Sequence, residues 1–245
     1  MSEFIRSAPQ LAISHDPCTE PSDIRLVEAD ARPDANGTQQ LAGQPVWLEL
    51  LREGLTFDCV GLAPREASEA PKVNYRFDIE PHTPLESFES IILTPGKHLS
   101  GGGRSVPVLR GLLGLARDFV HHFKEAKVAC WPPSQSAIGR RFFESTVTSW
   151  LDGGPFPALG LTAFADEADG SILSVGLSHF IDQELRIDPE LAIDKLAATR
   201  LGLRLINQLV LVGGIDKSET IIGPDGSRLL LSPSRNGKFV RVSRE

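Results

Sequence analysis

Three cysteines in 245 residues (Cys18, Cys59 and Cys130) are too few for a disulfide framework, and no two of them form a C-x-x-C pair. A zinc knuckle and a thioredoxin-type redox site are thereby excluded. No apolar run approaches the roughly 20 residues needed to cross a bilayer. The opening Met-Ser-Glu-Phe-Ile-Arg lacks the apolar core of a signal peptide. Positive charge is also short: 25 Lys and Arg against 32 Asp and Glu leave a net −7 and a pI near 5.4. A general nucleic-acid binder needs a basic face that displaces phosphate counterions, so that class is set aside. The Gly-Lys-Ser/Thr order of a P-loop is missing, as is a Gly-x-Ser-x-Gly elbow around Ser100, Ser134 or Ser136. The expectation is a cytoplasmic protein with no resident cofactor or metal and no nucleic-acid or membrane partner.

What is present is ordinary globular composition, 41% hydrophobic and 23% charged, enough for a full core. The charge is unevenly placed. Residues 1–44 hold seven acids and three bases, a net of −4, whereas the last eighteen residues hold five bases and one acid. The first 44 residues show little periodicity beyond a candidate edge strand at 24–27, so they read as an extended or partly disordered acidic leader. One α+β domain is expected over 45–245.

The chain is organised around residues 88–131. An apolar strand (88–93), a glycine-rich turn (94–105), a helix (106–123) and a second apolar strand (127–131) together predict one βαβ unit. Val108, Leu109, Leu112, Leu113, Ala116, Phe119, Val120 and Phe123 recur at spacings of three and four, which gathers them on one helix face. Ser105 is a fitting N-cap with Pro107 in the first turn, and Gly111 and Gly114 suit a packing notch. Two strands joined through such a helix are expected to be parallel, with a right-handed crossover.

Upstream, 46–51 reads as a strand or a helical turn. Residues 55–61 and 73–79 alternate with period two and predict an antiparallel pair. Downstream, the pattern predicts a helix over 140–151, strands over 158–164, 172–178 and 184–187, a helix from Asp188-Pro189 to Val212, and a terminal hairpin (228–231 with 239–242) turned at Asn236-Gly237. The fold class is therefore α+β: a mixed, mostly antiparallel sheet containing a βαβ unit, with two or three helices packed on it.

Trp131-Pro-Pro-Ser, followed by Ser174-Val-Gly-Leu-Ser-His-Phe-Ile-Asp-Gln-Glu-Leu-Arg-Ile and a loose Thr220-Ile-Ile-Gly223, resembles a family of uncharacterised bacterial domains. That family pairs a Val-Ala-x-Trp strand with a Ser-x-Gly-Leu segment and then Glu-Leu-x-Ile. The resemblance covers roughly residues 86–223 and implies a fold and a bacterial setting rather than a reaction.

Two clusters carry candidate chemistry. Residues 96–105 precede a helix N-terminus, where free N–H groups favour an anion, and Lys97, His98 and Arg104 would add charge around Gly101, Gly102, Gly103 and Ser105. The same glycines equally serve a tight turn. His179, Asp182, Gln183, Glu184 and Arg186 lie within eight residues. On an extended segment Asp182, Glu184 and Arg186 would share a face, with Glu184 and His179 a conceivable acid–base pair. The alternative is a loop ending in a salt-bridged strand. Adjacent His121 and His122 cannot serve one metal from a helix, Cys59 and Cys130 read as inert core thiols, and Trp47, Trp131 and Trp150 as core anchors.

With no assembled catalytic set, the leading expectation is a non-enzymatic protein-binding or adaptor factor, immunity- or secretion-associated, that uses its sheet face or terminal hairpin. The rival is an enzyme or small-molecule binder using the 96–105 loop with Glu184.

Overall fold

The computed structural model describes residues 2–8, 10–16, 48–62, 68–99 and 101–245. Cys18, the candidate strand at 24–27, Trp47 and Ser100 lie outside the described residues. The chain divides into two compact units, residues 1–69 with 89–101 and residues 70–88 with 102–245, where one domain over 45–245 was expected.

The first unit holds α1 (Ser2–Ser7), β1 (Leu11–His15), β2 (Leu48–Arg52) and β3 (Leu55–Val60). The chain then leaves for the second unit, forms β4 (Tyr75–Phe77) there, and returns as β5 (Ile92–Pro95). The order β1-β2-β3-β5 is antiparallel throughout. Ser2–Ser7 and Leu11–His15 thus form a helix and a strand where an extended leader was expected, and Phe4 and Leu11 are buried, as are Leu50, Phe57 and Cys59. Glu53 and Gly54 turn the β2–β3 hairpin at φ of 51° and 79°, a pair of positive values that suits the twist of the flanking strands.

That hairpin explains one correction. β3 pairs with β2 and β5, so the expected pairing of 55–61 with 73–79 does not form. The two-residue turn closes β2 onto one edge of β3 at low entropic cost, while the other edge goes to the more distant β5.

In the second unit follow α2 (Val106–His122), β6 (Val128–Trp131), β7 (Ser136–Gly139), α3 (Arg140–Leu151), the single turn α4 (Ala158–Leu161), β8 (Ala163–Asp166), β9 (Ile172–Val175), the single turn α5 (Ser178–Ile181), β10 (Glu184–Ile187), α6 (Lys195–Val212), β11 (Glu219–Ile222), β12 (Arg228–Pro233) and β13 (Phe239–Arg244). They build a small sheet, β4-β7-β6, and a six-stranded sheet, β11-β12-β13-β10-β9-β8. The latter is antiparallel except for β10 beside β13. The α+β class holds.

The βαβ unit does not. α2 forms as its periodicity predicts, but β5 before it joins the first unit's sheet and β6 after it joins the small sheet. The helix links two sheets instead of crossing over one. Its principal neighbour is α3, and Gly111 and Gly114 are buried.

Two arginines cross-brace this helix pair. Arg110 of α2 donates to the Trp150 and Leu151 carbonyls at 3.2 and 2.6 Å, at the C-terminal end of α3, while its guanidinium lies 5.1 Å from the Trp150 ring centre. Arg140 of α3 donates to the His121 and Phe123 carbonyls at 2.9 and 3.0 Å, which caps α2 in return. Each cation sits at the negative end of the other helix's dipole.

Two further expectations are corrected. The strand over 158–164 begins only at Ala163, because Gly160 at φ 102° packs against Ile138 and turns the chain first. The helix expected from Asp188 starts at Lys195, capped by Asp194, whose carboxylate accepts from the Leu196 and Ala197 amides at 3.0 Å each. Asp188 is held instead by a two-pronged contact from Arg241, both branches at 2.7 Å.

Candidate functional site

The densest polar arrangement lies between β9 and β10. Ser174 lies in β9, which stays paired with β8 as far as Val175, and Gly176 follows at φ 92° with its Cα so close to Ser134 that a Cβ would come within 2.8 Å of the Ser134 Cα. The chain then makes the α5 turn and leaves it through Asp182 in the left-handed region, φ 60°. Backbone amides at 176–178 therefore converge on one point. The Glu184 carboxylate fills that point: it accepts from Gly176 N at 3.0 Å, Ser178 N at 3.0 Å, Leu177 N at 3.2 Å and the Ser174 hydroxyl. Ser174 Oγ accepts in turn from Leu185 N at 2.7 Å.

This is an anion site whose anion is the chain's own. Glu184 is occupied as an acceptor of its own chain's amides.

Its neighbours are equally engaged. The Gln183 amide donates to the Ile215 carbonyl at 2.8 Å and accepts from the Ile215 N–H at 3.0 Å, clipping the end of α6 to the turn. Arg186 pairs with Asp169, whose carboxylate also accepts from the Ser171 hydroxyl and amide. Those Ser171 bonds, with the Arg186 contacts, hold the Asp169 pKa down to about 2. Asp182 is exposed and pairs with Arg104 at 2.9 Å, and Arg104 also reaches the Ser178 carbonyl at 3.4 Å. The expectation that Asp182, Glu184 and Arg186 share a strand face is corrected, because 178–182 is a helical turn and the strand starts at Glu184. The loop-ending-in-a-salt-bridged-strand reading matches what is found.

His179 stands edge-on to Trp131, ring centres 5.3 Å apart at 87°, beside Phe180. Burial, and next the nearby Arg104 charge, lower its pKa below the usual 6.5. The unfolded chain therefore binds a proton at His179 more readily than the folded one. Stability from this group is complete above pH 6.5 and is lost as pH falls from there toward the folded value. We expect the urea midpoint to drop on acidification through that window, and His179→Gln to flatten the drop. An unchanged acid slope in the variant would rule the histidine out.

The glycine-rich loop divides between the units. Lys97, His98 and Gly101 belong to the first; Gly102, Gly103, Arg104 and Ser105 belong to the second. His98 Nε2 lies 2.9 Å from Thr56 Oγ1, and Lys97 and His98 flank Asp58 on β3. Asp58 faces Glu49 across the ladder and its Oδ1 is buried without a partner. Burial first, and Glu49 second, raise its pKa, with Lys97 and His98 acting against them. Nothing in the sequence pattern singled out Asp58, because it sits at a polar position of an alternating strand.

None of Gly101, Gly102 and Gly103 has a positive φ, and a Cβ at 101 would meet nothing within 4 Å. Glycine is thus not required there for a turn. Ser105 is the N-cap of α2 by backbone geometry but its side chain caps nothing.

Other sequence candidates resolve simply. Ser134 Oγ lies 2.8 Å from Ser136 Oγ and 2.9 Å from the Gly160 carbonyl oxygen, a buried structural pair. Cys59 is buried and its thiol pushed up to about 12, whereas Cys130 is exposed, contrary to the core role expected. His121 pairs with Glu144 at 2.8 Å. Trp150 is buried, and Trp131 is half-buried with an Nε1 that is buried and unpartnered. Among the described residues no group of three His, Cys, Asp or Glu is placed to hold a metal ion, and no helix is long and apolar enough to cross a membrane.

The second unit also carries a cleft of about 270 Å³ lined by Asp78, Glu80, Lys127, Arg140 and Arg141 among others. Its charges are of both signs, and Arg140 is already committed to α2.

Fold and site together define an α+β protein in which the amides converging ahead of β10 are filled from within. Comparison of the chain with family models, with curated proteins and with solved structures gives no match.

Proposed function

We propose that the protein is a non-enzymatic binding factor that recognises a protein partner by strand addition at β11. The observation that carries this reading is the state of that strand. β11 ends the six-stranded sheet, pairs only with β12 among the described residues, and leaves three of its four residues exposed, with Ile222 at 62%. Such an edge offers unpaired N–H and C=O groups to an extended segment of another chain. The commitment of Glu184, Gln183 and Arg186 to internal bonds points the same way, since none of the three is free to act on a substrate.

A photo-cross-linking residue at Thr220, placed in the cells that make the protein, is expected to capture one dominant protein. That protein, purified, should form a one-to-one complex that Ile222→Lys weakens, because a charge at an edge disfavours added strands. Absence of any such complex, together with turnover of a small substrate by the purified chain, would overturn the reading.

A further inference from the structure

We infer that the outer face of α6 is a second docking surface, built for an acidic amphipathic helix of another protein. One face of α6 is buried through Ala198, Leu201, Leu205, Ile206 and Leu209. At 100° per residue the opposite face carries Leu196, Arg200, Arg204, half-buried Asn207 and Leu211, a stripe about 22 Å long at 1.5 Å per residue. Its ends are apolar and open: Leu196 is 61% and Leu211 86% exposed. Its middle is cationic, with Arg200 and Arg204 exposed four residues apart on one face. Neither arginine has an ion-pair or hydrogen-bond partner among the described residues, whereas nearby Lys195 is held by Asp166 at 2.5 Å.

The pattern selects the occupant. Two leucine side chains in water favour apolar cover, and the two unpaired guanidiniums between them favour carboxylates at matching spacing. A helix with leucines at its ends and two glutamates four apart between them supplies both. A second copy of this chain does not. Helix α6 carries no carboxylate of its own, and an antiparallel two-fold packing centred on the stripe sets Arg204 against its own counterpart. An anionic membrane is disfavoured by the net charge of −7 and by having two cations where a surface-bound helix carries a full polar face of them.

The inference goes beyond strand addition at β11, and a separate experiment tests it. The probe is a fluorescein-labelled helical peptide with two glutamates four apart between leucines. Its control is the same peptide with lysines in their place. The intact protein should bind the glutamate peptide, less well as salt rises, and ignore the lysine peptide. Arg200→Glu with Arg204→Glu should weaken the first by roughly tenfold and create affinity for the second. Arg200→Gln with Arg204→Gln should weaken the first without creating the second. Leu196→Ser with Leu211→Ser should weaken both the wild-type and the charge-reversed complexes. Both arginines are exposed and unpaired, so circular dichroism should be unchanged.

No binding of the glutamate peptide, equal binding of both peptides, or no exchange of preference on charge reversal would overturn the inference. So would binding to phosphatidylcholine–phosphatidylglycerol vesicles in preference to the peptide, or self-association that charge reversal abolishes. Failure here with the Thr220 cross-link intact removes the α6 surface alone; loss of the cross-link with peptide binding intact removes only the β11 reading.

Discussion

Glu184→Ala should lower the stability of the 70–88 and 102–245 unit by roughly 3 kcal/mol, because three amides and a hydroxyl lose their common acceptor. Water can reach a half-buried turn and replace part of the loss, which keeps the figure below the sum of four separate penalties. Glu184→Gln is the sharper variant. It preserves volume but presents an NH₂ to a pocket composed of donors, so at least half of the loss should remain. Ser174→Ala removes one donor, leaves Leu185 N without its acceptor, and should cost about 1 kcal/mol. Urea unfolding followed by tryptophan emission reports on this unit through Trp131 and Trp150. A Glu184→Ala protein within 1 kcal/mol of wild type would show that the carboxylate is not what holds the turn.

The second large effect is steric. Gly139 ends β7 and is the N-cap residue of α3, at an ordinary φ of −60°. A Cβ there would lie 2.0 Å from the Asp78 carbonyl oxygen and 2.9 Å from its carbonyl carbon. Both obstacles are backbone, so no side chain can swing aside. The parallel pairing of Tyr75–Phe77 with Ser136–Ile138 must open to admit a methyl group. Gly139→Ala should therefore cost about 3 kcal/mol. Asp78→Gly should relax the left-handed residue beside it, φ 53°, without rescuing the alanine, since the clash is with the carbonyl. Gly101→Ala, where the added carbon meets open space, should stay within about 0.5 kcal/mol of wild type. Equal melting temperatures for the 139 and 101 variants would sink the steric account.

Much of the local structure was legible. Helix α2 begins and ends within a residue of its periodic face, α3 matches 140–151, β10 matches 184–187, and the terminal hairpin turns at Asn236-Gly237. These elements are written in spacings of two, three and four, in proline at a first turn and in glycine at a turn. The 174–187 cluster was visible as a group of polar residues. Its use was not, because a carboxylate looks the same in sequence whether it accepts a substrate's proton or three of its own chain's amides.

What the sequence by itself determined is which segments are helix or strand and which side of each is apolar. That follows because hydrophobic periodicity is a property of neighbours along the chain. Only the tertiary structure decided which strands meet: that β5 and β6, on either side of one helix, belong to different sheets, that β4 pairs with β7, and that Leu11–His15 joins β2. Those choices rest on contacts between residues far apart in the chain, where loop closure, competing hairpins and the fit of two surfaces settle the pairing. A strand's own residues carry its alternation but not the name of its partner.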